Sequence, residues 1–159
     1  MSAIGFTAHD HAHCVTDAMT SAQRYCDTHN LRLTPVRRRA LEILLSDHRA
    51  QGAYDLLAVL AREGLGHQPP VAYRALDFLV SHGFAHKIEA LNAYIACAHL
   101  GQCRTPAFLI CRSCKSVAEA DTLPGGGRLG DAAEAAGFVI ERTVVEAEGV
   151  CPSCQEPAA

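Results

Sequence analysis

The sequence predicts an α+β fold in two parts, a helical first part closed by a hairpin and a smaller second part of short strands around one helix. Three observations carry this reading. Apolar residues recur at helical spacing through most of residues 16 to 83, short β-rich runs follow, and two Cys-x-x-Cys pairs bracket the last of them. With 159 residues the chain suffices for one ordinary domain or two small ones, and two small ones each need a metal or a partner copy to complete a core.

Residues 1–14 are polar, His-rich and aperiodic, and are expected to form a flexible arm with incidental zinc affinity at His9, His11, His13 and Cys14. A helix is expected from about Thr16 to His29. Leu33-Thr34-Pro35 reads as the next helix start, with Thr34 as N-cap, Pro35 in the first turn and Val36, Ala40, Ile43 and Leu44 as the apolar stripe. Gln51-Gly52-Ala53 turns into a third helix carrying Leu56, Leu57, Val59 and Leu60 and ending at Gly64. A fourth begins at Pro69-Pro70 and ends at Gly83; Ala72, Ala75, Leu76, Leu79 and Val80 form its buried side, and Tyr73, Arg74, Asp77 and Ser81 the other. Ala85–Glu89 and Tyr94–Ala98 are two extended runs of a hairpin.

Three helices and a hairpin in that order make a winged helix, assigned to residues 15–98, whose last helix enters the DNA major groove. On that reading Tyr73 and Arg74 face base edges; an ordinary polar helix face explains them equally well. The formal charge of -3 argues neither way, because residues 1–93 balance nine basic against nine acidic side chains and the acidity lies in residues 94–159. Arg32, Arg37, Arg38 and Arg39 crowd one helix start, a local patch of the kind that meets phosphates, although such a run is as often a solvated face.

In residues 99–159, Pro106–Cys111 and Ser116–Ala120 look like strands flanking the turn Cys111-Arg112-Ser113-Cys114. A helix is expected over Arg128–Ala136 and a third strand over Phe138–Ala147. Cys111, Cys114, Cys151 and Cys154 form two pairs separated by 36 residues. Each pair can bind one edge of a tetrahedral Zn(II), and together they close a structural site with no position open for substrate. Redox-active pairs and unrelated turns with free thiols are the competing explanations. No signal peptide or membrane-length apolar run is seen, which assigns the chain to the cytoplasm with no membrane partner and favours metal over disulfides. A zinc hydrolase or deaminase needs a His-x-Glu arrangement that is missing, and a thiol oxidoreductase wants its CxxC at a helix start, so no enzyme and no small-molecule substrate are expected.

Leu33-Thr34-Pro35-x-Arg37, Ala53-Tyr54-Asp55-Leu56-Leu57, Tyr73-Arg74-Ala75-Leu76-Asp77-Phe78-Leu79 and Gly83-Phe84-Ala85-His86-Lys87, followed by the two CxxC pairs, resemble the ferric uptake regulator superfamily and within it the zinc uptake regulators. The resemblance spans residues 20 to 154. It implies a homodimer, joined through residues 99–159, that binds an inverted-repeat duplex operator when zinc-loaded and represses zinc-uptake genes. It also implies two Zn(II) per chain, one structural and one sensory, the latter on His86, Cys97 and Glu119. The same residues taken singly read as a polar strand residue, a small buried hydrophobe and a solvated carboxylate. Cys103 is the expected fourth sensory ligand, with His99 as the alternative. Two departures stand out: the family's His-His-x-His segment is replaced by Cys97-Ala98-His99-Leu100-Gly101-Gln102-Cys103, and Pro70-Val71-Ala72 stands where a Thr-Val usually precedes Tyr73. The first disfavours iron- and peroxide-sensing relatives and favours a sulfur-accepting ion. A constitutive zinc-stapled DNA-binding regulator, or a sensor of another metal or of peroxide, is the alternative function.

Overall fold

Local signals explain the first half of the computed structural model, which describes residues 6, 11–100, 106–121 and 127–155. Helices α1 (His11–Thr28), α2 (Pro35–Leu45), α3 (Ala53–Arg62) and α4 (Pro69–Ser81) follow in order. Thr34 caps α2, its hydroxyl accepting from the Arg37 N–H at 3.4 Å, and Pro35 occupies the first turn, where a missing N–H costs nothing. Helix α1 starts earlier than the expected Thr16. Of the expected arm, residues 11–14 therefore belong to α1, while residues 1–5 and 7–10 lie outside the described residues.

Each helix turns one stripe inward. Met19, Ala22 and Cys26 of α1, Ala40, Leu41 and Leu44 of α2, Leu56 and Leu60 of α3, and Ala72, Ala75, Leu76 and Leu79 of α4 meet in one apolar cluster. Val80, expected on the buried side of α4, is 38% exposed, because it lies one helical step beyond the stripe that Ala72, Leu76 and Leu79 define. Phe84 fills the centre with its ring edge-on to Tyr25 at 5.2 Å. It also closes α4: its N–H donates to Leu79 O at 2.8 Å and that of Gly83, at φ +73°, to Val80 O at 3.2 Å, a left-handed helix stop.

Strands β1 (Ala85–Ile88) and β2 (Ala93–Ala96) form the expected antiparallel hairpin, with His86 opposite Ile95, joined by a 3-10 turn at Glu89–Leu91 and Asn92 in the left-handed region. The second half is a three-stranded sheet of order β4-β3-β5, built from β3 (Pro106–Cys111), β4 (Val117–Asp121) and β5 (Val145–Gly149). Helix α5 (Gly127–Ala135) carries the crossover that lets β5 run parallel to β3, and a single turn, α6 (Pro152–Gln155), follows. The third strand is thus shorter and later than expected over Phe138–Ala147. Residues 138–144 have the apolar alternation but no sheet partner among the described residues, and Phe138 and Val139 stand 67% and 80% exposed.

A second apolar cluster joins the halves: Ile88 and Ile95 of the hairpin pack on Phe108, Ile110 and Val117 of the sheet. The Val117 N–H also donates to His48 O at 3.1 Å. Among the described residues no helix is long and apolar enough to cross a membrane.

The turn before α4 depends on Gly66, whose φ of +136° is strained for any side chain; a Cβ there would lie 2.8 Å from Val71 Cγ1. Gly66→Ala is expected to cost about 1–3 kcal/mol, read as a lower denaturant midpoint, with the metal content of the cysteine cluster unchanged.

Candidate metal centres and nucleic-acid interface

Strand β3 ends at Cys111, and a tight turn with Lys115 in the left-handed region (φ 62°) returns Cys114 beside it, with the Lys115 N–H donating to Cys111 O at 2.9 Å. The parallel register sets Gly149 of β5 against Cys111, so Cys151 arrives two residues later, and α6 lifts Cys154 to the same place. All four sulfurs lie within 4.8 Å of one another, and Cys114 and Cys151 Sγ are 3.7 Å apart. A tetrahedral ion with metal–sulfur bonds of about 2.3 Å needs sulfurs roughly 3.8 Å apart, so the cage fits.

Protonation shows the same tension. N–H groups of Cys114 and Cys151 lower the Cys111 thiol to about 6, whereas neighbouring sulfurs, Cys151 first, raise Cys154 to about 12. Four thiolates cannot share this space without a cation. Ser116, whose Oγ lies 3.2 Å from Cys114 Sγ, supports the cluster; no spacing rule points to it.

At the joint between the halves a second cluster forms. His86 comes from β1, Cys97 follows β2, and Glu119 sits on β4 opposite Phe108, whose ring centroid is 5.3 Å from that of His86. One donor atom from each of His86, Cys97 and Glu119 lies within 4.8 Å of the others, with His86 Nε2 3.9 Å from a Glu119 oxygen. Glu119 is 7% exposed, the only buried charged residue among the described ones, and its other oxygen accepts from the Ala98 N–H at 3.0 Å. His86 Nε2 is buried with no hydrogen-bond partner. Burial lowers the His86 pKa against the pull of Glu119, and burial, with Glu119 adding, raises the Cys97 thiol to about 12. A neutral imidazole, a thiol and a carboxylate enclosed together match a borderline divalent ion such as zinc.

Cys103 lies outside the described residues. His99 is described: its N–H donates to Cys97 Sγ at 3.4 Å and its Nδ1 is buried without a partner. It lines, with Cys97 and Glu119, a cavity of about 650 Å³.

On α4, Tyr73 and Arg74 are both exposed, as is Arg32. Arg37 is held in place, stacked 3.8 Å over the Phe78 ring and donating to Arg32 O at 2.6 Å. The remaining arginines of the patch have internal partners: Arg38 donates to Gln23, and Arg39 bridges Glu63 of the α3 end at 2.7 Å and Glu42 at 3.1 Å. Tyr54, quoted above only as part of a family motif, presents an aromatic ring 67% exposed at the start of α3.

Replacing Cys151 by Ser is expected to remove the metal from the cysteine cluster and to unfold the sheet around it, measured as metal content and hydrogen exchange of β5. At the second cluster burial lowers the His86 pKa and raises the Cys97 thiol to about 12. Metal binding there should release one proton, so its affinity should rise about tenfold per pH unit between pH 7 and 8, measured by chelator competition.

No protein-family model matches the chain. It is 36% identical over 141 residues to the zinc uptake regulation protein of Escherichia coli (strain K12), covering 88% of the chain and 82% of that protein. Its structure superposes on a zinc uptake regulator complexed with zinc and DNA with a TM-score of 0.83 at 35% identity, covering 89% and 95% of the two chains. Against holo XcZur the TM-score is 0.78 at 34% identity, over 87% and 97% of the chains; against apo XcZur it is 0.50 at 36%, over 89% and 98%. From sequence and structure alike, the chain belongs to the zinc uptake regulator family.

Proposed function

We propose that this chain is a zinc-responsive transcriptional repressor that, as a zinc-loaded homodimer, binds an inverted-repeat duplex operator and represses zinc-uptake genes. The observation that carries the reading is the place of the His86–Cys97–Glu119 cluster, at the joint between hairpin and sheet. A metal bound there favours one orientation of the DNA-reading half over all others, and a ligand shifts an equilibrium only through such differential affinity. Residues 15–98 are assigned to DNA reading and 99–159 to dimerisation. Cys111, Cys114, Cys151 and Cys154 hold a structural Zn(II), and His86, Cys97 and Glu119 a sensory one, completed by Cys103 or His99.

Dimerisation uses the face that the monomer leaves open. Helix α5 has no buried residue, and Leu129 on it and Phe138, Val139 and Val144 in the segment after it are exposed apolar side chains. Tyr73 and Arg74 of α4 meet base edges, while Arg32 and Arg37 meet phosphates; stacking on Phe78 pre-orders Arg37 for that contact. The protein works in the cytoplasm and catalyses no reaction.

The test starts from protein carrying one zinc per chain and an operator selected by the zinc-loaded protein from a random duplex pool. Adding a second equivalent of zinc should raise operator affinity at least tenfold. Full affinity before that addition would establish a constitutive regulator instead. In the same assay Arg74→Ala should cost about 1–3 kcal/mol on the operator and relax base preference, whereas Arg37→Ala should weaken all duplexes and reduce the salt dependence. Equal losses on operator and random duplex would reassign Arg74 to the phosphates. Cys103→Ser and His99→Ala, compared for zinc response, identify the fourth ligand.

A further inference from the structure

One row of side chains across the sheet grips the hairpin along its whole length. Glu119 of β4, Phe108 of β3 and Glu146 of β5 are register partners, so they are lateral neighbours and share one face. Glu119 holds the hairpin's base through the Ala98 N–H at 3.0 Å. Phe108 packs against the middle, on His86 and in the cluster with Ile88 and Ile95. Glu146 takes the tip: its two oxygens accept from the N–H groups of Glu89 at 2.6 Å and Ala90 at 2.8 Å. Those two are the first residues of the 3-10 turn, where N–H groups lack partners within the turn, and a carboxylate there acts as a cap supplied from the other half of the protein. Arg142, 3.7 Å from the Glu89 carboxylate, adds a looser tie from the segment leading into β5.

We propose that Glu146 is a positioning residue that sets the zinc affinity of the His86–Cys97–Glu119 site by clamping the hairpin tip; this rests on the sensory reading of that site. The hairpin is short, so fixing its tip on β5 and its centre on β3 fixes where His86, on its first strand, meets Glu119 on β4. The cap involves no metal ligand, so it acts with or without zinc. It raises the fraction of chains already in the binding orientation, and apparent affinity scales with that fraction. Through this fraction the strength of one carboxylate clamp tunes the zinc level at which the repressor responds.

The full-length protein carrying its structural zinc tests this as wild type, Glu146→Ala, Glu146→Gln and Glu148→Gln. Glu148 is exposed two residues further along the same strand, so its variant removes an equal charge without removing the cap. Zinc affinity of the second site is measured by competition with a chromophoric chelator, and exchange of the Glu89 and Ala90 amides by NMR. Glu146→Ala should weaken second-site zinc roughly three- to tenfold and speed exchange at both amides before zinc is added, with structural zinc and dimer mass unchanged. Glu146→Gln, which keeps one acceptor oxygen, should fall between, and Glu148→Gln should match wild type. Unchanged zinc affinity in Glu146→Ala would overturn the proposal, as would equal weakening in Glu148→Gln or joint loss of both zincs. A wild type that bound no second zinc would instead bring down the sensory reading and, with it, this inference.

Discussion

A buried carboxylate governs how the two halves of this molecule relate. Glu119 is buried where hairpin and sheet meet, with His86 Nε2 3.9 Å from one of its oxygens, and burial lowers the His86 pKa. A buried carboxylate is costly unless it is paired and hydrogen-bonded, and here the Ala98 N–H donates to one oxygen while His86 stands near the other. The seam therefore favours a cation, and the two groups beside Glu119, an imidazole nitrogen and a thiol, are donors that fix one. On the proposed reading, occupancy of the seam is occupancy of one domain orientation.

The cysteine cluster solves a different problem. The C-terminal half offers few buried apolar groups of its own: α5 buries none, and the interior residues of β3 and β4 are spent largely against the hairpin. A sheet of three short strands is marginal unless something closes it. The four sulfurs tie the start of the sheet to the chain's last turn, so binding free energy at the metal becomes folding free energy of this half. The apolar side left open around α5 is then available to a second copy.

On the proposed reading, these devices make one ion structural and the other responsive. Cys111 and Cys114 sit on one tight turn and Cys151 and Cys154 on another, and strand pairing within one half brings the turns together. The second cluster draws its donors from both sides of the joint, so it exists only when the halves meet. Its assembly depends on everything that holds the hairpin to the sheet, including contacts far from the ion.

Several features were legible in the sequence because their causes are local. The cap at Thr34, the stripe of α4 apart from Val80, the hairpin order and the two CxxC turns each depend on residues a few positions apart. The α+β class and the two CxxC pairs could therefore be read before any coordinates, whereas His86, Cys97 and Glu119 are 11 to 33 residues apart and were suggested only by the family resemblance. The extent of the third strand could not, because Phe138–Val144 alternates as a strand does, and only the register that β3 offers decides that pairing begins at Val145. Nor could the partners of Arg38 and Arg39, which turn half of an apparent phosphate patch into ties between helices. Glu146 is the plainest case. Its partners are 56 and 57 residues away, and no spacing rule links them. Backbone and side-chain periodicity determined which elements this chain forms, whereas the contacts between elements were decided by tertiary packing, because only packing brings such distant groups within hydrogen-bonding reach.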